Sequence, residues 1–171
     1  MRVNIGHMDS SSWVYSNEGG GNVIGELGHF IDLANYFAGS PIAKTSVSTI
    51  PSHSDSMKTN DNLSATLLHK NGALTTIVYA TLGSRSYDRE LIEIYAGSNV
   101  AAIHNFTSLT LASEKGKRVI KRMGIDRGHA NEIKTFFDAL EGGTSLPVSF
   151  EEYTHVSRIT FEISHVYNRG V

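Results

Sequence analysis

Between Leu63 and Leu82 two apolar runs, LSATLLH and ALTTIVYATL, are separated by Lys70-Asn71-Gly72. Asn-Gly suits the two central positions of a tight turn whose left-handed backbone matches the twist of the flanking strands. The pair is therefore expected to fold back on itself as an antiparallel hairpin, and no other stretch limits the fold class as much. The pattern continues on both sides. Ile42–Ile50 reads as a strand before the hairpin; LIEIYAG, VAAIHN, SLTLAS and RVIKRM read as strands after it, with Glu114-Lys115-Gly116 as a second tight turn. Alternation in Leu91, Glu93, Tyr95 and in Thr66, Leu68 means that one sheet face is polar or lies at an interface. A polar loop, PSHSDSMKTND, separates the first of these strands from the hairpin.

Helical periodicity brackets the strands. Over Asn22–Phe37, Val23, Ile24, Leu27, Phe30, Ile31, Ala34 and Phe37 fall on one broad arc, and Gly39-Ser40-Pro41 ends it. From about Gly128 to Leu140, Ile133, Phe136, Phe137 and Leu140 share a face, and Gly142-Gly143 stops the segment. From about Phe150 to Asn168, Val156, Ile159, Thr160, Ile163 and Val166 share another. Strands enclosed by helices give an α+β fold: one domain over residues 1–171, with a largely antiparallel sheet of six to eight strands and helices on one face. Nothing in the chain is left to cover the other face, so homo-oligomerisation through it is expected. At the start, a strand-like RVNI opens directly into a Ser-rich loop, Gly6–Glu18, that holds the only tryptophan, Trp13. Such an abrupt opening is expected at a boundary inside a longer protein.

Composition removes several functions. With 40% hydrophobic and 19% charged residues the 171-residue chain is globular and not disordered. Its formal net charge of -2 and scattered basic residues argue against nucleic acid or an anionic membrane as partner. The absence of cysteine excludes a disulfide framework, a thiolate nucleophile and Cys-ligated zinc, and agrees with a reducing, cytoplasmic setting. No apolar run reaches the roughly 20 residues of a membrane span.

The chemistry concentrates in EGGGNVIGELGH, residues 18–29. A dinucleotide fingerprint needs a glycine where Ile24 stands, and no strand–helix–strand unit follows. A phosphate loop would need Gly-Lys-Ser/Thr, which is absent. Glu26/His29, Glu152/His155 and Glu162/His165 all have the Glu-x-x-His spacing of di-iron bundles, but those sites are built between four helices and this chain is mostly sheet, so no metal is expected. Helix geometry gives a third reading. Asn22, His29 and Tyr36 share a narrow stripe flanked by Glu26 and Asp32, and no basic residue occurs from Glu18 to Ala43. A histidine on such a stripe suits general acid/base work near neutral pH, with Asp32 or Glu26 orienting it. The plain alternative is a core histidine satisfied by a carboxylate or a backbone carbonyl.

GGGNVIGELGHFIDLANYFAG resembles the segment that opens the C-terminal domain of the glucose-fructose oxidoreductase / inositol dehydrogenase (Gfo/Idh/MocA) family, whose Gly-rich turn leads into a His-x-x-Asp-Leu helix, here His29, Asp32 and Leu33. RVNIG with SSWVYSNEGGG is similar to the family's preceding strand and tryptophan loop. IDRGHANEIKTFFDALEGGTSLPVSFEEYTHVSRITFEISHV is similar to its closing helices. The resemblance thus spans almost the whole chain.

It implies a large open sheet, like that of the C-terminal domain of dihydrodipicolinate reductase, in an oxidoreductase using NAD or NADP on a sugar, polyol or nucleotide-sugar. The cofactor would belong to an N-terminal Rossmann domain in cis; that domain's glycines and the lysine of the family's Glu-Lys-Pro segment are absent here. This chain alone would then bind no cofactor and be inactive. His29 matches the family's acid/base, and Asp32 matches an orienting aspartate. Many members place an aspartate four residues before the histidine, where this chain has Gly25; Glu26 is adjacent but projects about 100° away around the helix. Arg2, Asn4 and Trp13 match positions at the site mouth of a subgroup, and Arg127 and His129 could face the same cleft. A surface charge for Arg2, core packing for Trp13 and a helix-entry charge for Arg127 are the alternatives. A non-catalytic ligand-binding or oligomerisation module of the same fold is the rival function.

Overall fold

The structure is a computed structural model and describes residues 1–9, 11–50 and 61–169, without the side chains of 166–169. The loop residues 51–60 and the side chain of Val166 lie outside it. β1 (Arg2–Asn4) leads through a 3-10 turn at Trp13–Tyr15 and a π turn at Val23–Leu27 into α1 (Gly28–Ala38). Seven strands follow: β2 (Ile42–Thr49), β3 (Leu63–His69), β4 (Leu74–Ala80), β5 (Glu90–Ala96), β6 (Asn99–His104), β7 (Ser108–Ser113) and β8 (Gly116–Lys121). The helices α2 (His129–Gly142) and α3 (Phe150–Arg169) end the chain. It is an α+β fold on one eight-stranded, mostly antiparallel open sheet.

The strand order is β2-β3-β4-β1-β5-β6-β7-β8. The Asn71-Gly72 hairpin pairs β3 with β4, Leu68 opposite Leu74, as the sequence predicts. β1 is the exception to antiparallel pairing. It runs parallel to β4 and antiparallel to β5, joining two meanders through three residues. Its register sets Val3 beside Tyr79 and Glu90, all buried, so these side chains share the inner face. Strand alternation then sends Arg2 and Asn4 to the other face.

The core forms where α1 and α3 lie on that inner face. Leu27, Phe30, Ile31 and Ala34 meet Ala65, Leu67, Ile77 and Tyr79 from the sheet and Ile159 and Ile163 from α3. Burying a side chain such as Ile31 completely contributes roughly 1.5–3 kcal/mol. The apolar arc is buried as expected from Val23 through Leu27 to Ala34, but the polar stripe differs at its start. Asn22, expected beside His29 and Tyr36, is buried while they are exposed, because the π turn inserts an extra residue and rotates everything before it. α2 behaves differently from the other helices. Its apolar stripe, Ile133, Phe136, Phe137 and Leu140, is exposed, and Ala139 is its one buried residue.

Candidate functional site

The glycine turn is built by close approach. A Cβ on Gly19 would lie 2.4 Å from the carbonyl oxygens of Trp13 and Val14, so only glycine lets the turn rest on the 3-10 segment. Gly21, at φ +84°, then reverses the chain into the π turn. The amides of Gly19 and Gly20 both donate to Ser16 O at 3.2 Å. Donors spent inside the turn are not free for a phosphate, so these residues do not fit a nucleotide cradle.

Behind the turn lies a buried polar knot. Asn22 Nδ2 donates to Asp61 Oδ2 at 2.6 Å and to the Tyr15 hydroxyl at 3.2 Å. Asp61 is 1% exposed, and burial pushes its carboxyl above the ordinary range although Tyr15 and Asn22 hydrogen-bond it. Burial, with help from Asp61, also raises the Tyr15 phenol. Next to it Asn62 holds Thr81 twice, donating to Oγ1 at 3.1 Å and accepting from the Thr81 amide at 2.8 Å. These bonds fasten the π turn to the ends of β3 and β4.

From this base α1 presents two of the expected residues, and the π turn ahead of it presents a third. His29 is exposed, and among the described residues nothing hydrogen-bonds its ring, so it is not a satisfied core histidine. Asp32, one turn on, is exposed as well; partial burial and then the Glu152 carboxylate raise its pKa, while His29 draws it back down. Asp32 also borders a cleft of about 840 Å³ between α1 and the start of α3, with Tyr36, Lys70, Glu152 and His155. Glu26 is engaged otherwise. Its Oε2 accepts from the Tyr79 hydroxyl at 2.9 Å, and its Oε1 pairs with Arg89.

The remaining expected residues divide. Trp13 is 74% exposed beside the glycine turn, which excludes core packing. Arg127 joins the Glu26 neighbourhood indirectly, with Nη2 3.2 Å from Oε1 of Glu90. His129 sits at the exposed start of α2, 3.8 Å from Glu132. Arg2 and Asn4 are not brought to His29. They organise the loop over 81–89 instead. Arg2 Nη1 donates to Asp88 O at 2.8 Å and its guanidinium stacks 4.7 Å from the Tyr87 ring centre. Asn4 Nδ2 donates to Ser84 O at 2.8 Å. That loop ends at Arg89. Sequence reading missed Arg89, Glu90, Tyr79 and Asp61, yet one signal pointed to the first: an acidic helix with no lysine or arginine needs a counter-charge from elsewhere.

Among the described residues no three histidine or carboxylate side chains converge as metal ligands. No described helix is long and apolar enough to cross a membrane.

No curated protein matches the chain in sequence. Solved structures do match its fold. An oxidoreductase domain protein from Kribbella flavida superposes with a TM-score of 0.78 at 16% identity, covering 99% of this chain and 57% of that one. UDP-N-acetylglucosamine 3-dehydrogenase from Acidithiobacillus ferrooxidans superposes at 0.75 and 14% identity, over 96% and 51%. An oxidoreductase from Agrobacterium radiobacter, solved with NAD+, L-tartaric acid and magnesium, superposes at 0.69 and 16% identity, over 99% and 54%. The chain thus spans about half the length of each of these proteins. The family model described as the GFO/IDH/MocA C-terminal domain matches residues 2–99, more than half of the sequence, and the chain belongs to that family.

Proposed function

We propose that this chain is the substrate-side domain of an NAD(P)-dependent oxidoreductase acting on a hydroxyl or carbonyl of a sugar, polyol or nucleotide-sugar. In this reading His29 is the acid/base. The observation that carries it is the setting of His29: exposed on a helix locked to the sheet beneath, with its ring unengaged by any described residue and Asp32 one turn away. A side chain on rigid backbone with free ring nitrogens can take the proton of an alcohol as it is oxidised and return it in the reverse direction. The nicotinamide supplies the hydride chemistry when bound. This chain's glycine turn does not fit it, so the cofactor is assigned to an N-terminal domain in cis. NAD+ in the Agrobacterium radiobacter structure and the sugar-nucleotide named for the Acidithiobacillus ferrooxidans enzyme support the cofactor and the substrate class. A cytoplasmic location and self-association through the open sheet face complete the reading.

His29→Gln in the intact protein is expected to lower turnover roughly 100-fold with little change in KM. A near-wild-type rate would return His29 to the surface of a non-catalytic module.

A further inference from the structure

Glu26 needs a cation, and α1 has none to give. The charge arrives from two distant places. Arg89, at the end of the loop over 81–89, pairs with Glu26 and sets its Nε 3.2 Å from Glu90 Oε1, close enough for attraction though not aligned as a hydrogen bond. Arg127, just ahead of α2, places Nη2 3.2 and 3.4 Å from the two Glu90 oxygens. The Glu90 side chain is only 3% exposed. A carboxylate that deep is tolerated when it is paired and becomes costly when a partner is removed. With the Tyr79 hydroxyl on Glu26, the contacts run without a break: Tyr79, Glu26, Arg89, Glu90, Arg127. They lead from the sheet through the π turn that opens the histidine helix to the entry of α2.

We propose that these five side chains act as one brace. Arg89, Glu90 and Arg127 are positioning residues for His29, and Glu26 anchors the helix and does not transfer protons. Charges alternate along the brace, so each end feels the other. Without Arg127, Glu90 keeps only Arg89, which must then serve two carboxylates and loosens its hold on Glu26. α2 makes this connection consequential, because with Ala139 alone buried the helix has little other purchase on the domain. The positioning role rests on the proposed function; the coupling itself can be measured without it.

The test is a double-mutant cycle between Glu26→Gln and Arg127→Met, residues that do not touch, on the 171-residue chain. The readouts are urea unfolding and amide hydrogen exchange over Leu27–Ala34. Arg127→Met is expected to speed that exchange roughly tenfold. Arg127→Lys should restore most of the protection, and the two single changes should combine non-additively. Unchanged exchange with additive effects would overturn the brace and leave the proposed function standing. In the intact protein Arg127→Met should lower kcat with KM nearly constant. If His29→Gln turns over normally while the coupling persists, the function fails and the brace survives as a structural feature.

Discussion

Asp61 shows how one residue can set a pH dependence. Its carboxyl is buried among Tyr15, Asn22 and the end of β3, and burial raises its pKa in the folded state. The folded protein therefore binds a proton over a range in which the unfolded chain has released it. Stability falls as pH rises from the ordinary carboxylate value of about 3.9 toward the raised one, and the loss stays constant above that. Asp61→Asn keeps the shape and removes the charge. Relative to wild type, the variant should gain stability steadily as pH rises from about 4, with the gain levelling off once the wild-type carboxyl is ionised. Urea midpoints at a series of pH values measure this, and parallel curves for the two proteins would count against a raised Asp61. None of this was legible in the sequence. Asp61 stands at the edge of a polar stretch where a solvated carboxylate is the natural reading, and only the fold brings Asn22 to it from 39 residues away.

At the scale of elements the sequence spoke clearly wherever a local rule sufficed. Asn71-Gly72 dictated its hairpin, and the 3.6-residue spacing placed Phe30, Ile31 and Ala34 on the buried side of α1. The π turn was illegible because one inserted residue leaves no mark on a short apolar pattern. It moved Asn22 from the His29 stripe into the interior, and so built the knot that seats the helix. The brace was illegible for a related reason: its charges lie 63 and 37 residues apart in sequence and meet only when β5 comes under the first turn. The glycine turn can be tested as an element. Gly19→Ala would drive a methyl group into backbone oxygens at 2.4 Å, which cannot yield without shifting the Trp13–Tyr15 segment. We expect a loss of about 1–3 kcal/mol, the usual range for overpacking, and weakened Tyr15–Asn22 contact. Thermal unfolding measures the loss, and Trp13 fluorescence reports the displaced segment. Wild-type stability in Gly19→Ala would show that the turn is held by something other than this close contact.

For the whole molecule, the decisive question is what covers its apolar surfaces. α1 and α3 shield one face of the sheet around β1, β3 and β4, but the face behind them carries Leu68, Leu74 and Val78 in the open, with Tyr95 farther along. Leu74 is 66% exposed and Tyr95 70%. Side chains of this kind, adjacent on a rigid sheet, form a patch that water disfavours and a second copy can bury symmetrically. The stripe on α2 is a separate surface on a helix that is barely anchored, and it is less suited to hold two copies in fixed register. The sheet face should therefore govern self-association. Light scattering on the purified chain is expected to give a mass above the 18.6 kDa of one copy. Leu74→Asp combined with Val78→Asp should return it to one copy while the circular dichroism stays native. Phe137→Asp, on α2, should leave the assembled mass unchanged. If instead Phe137→Asp dissolves the assembly and the sheet variant does not, the contact belongs to α2, and the open face of the sheet must be covered by something other than its own copy.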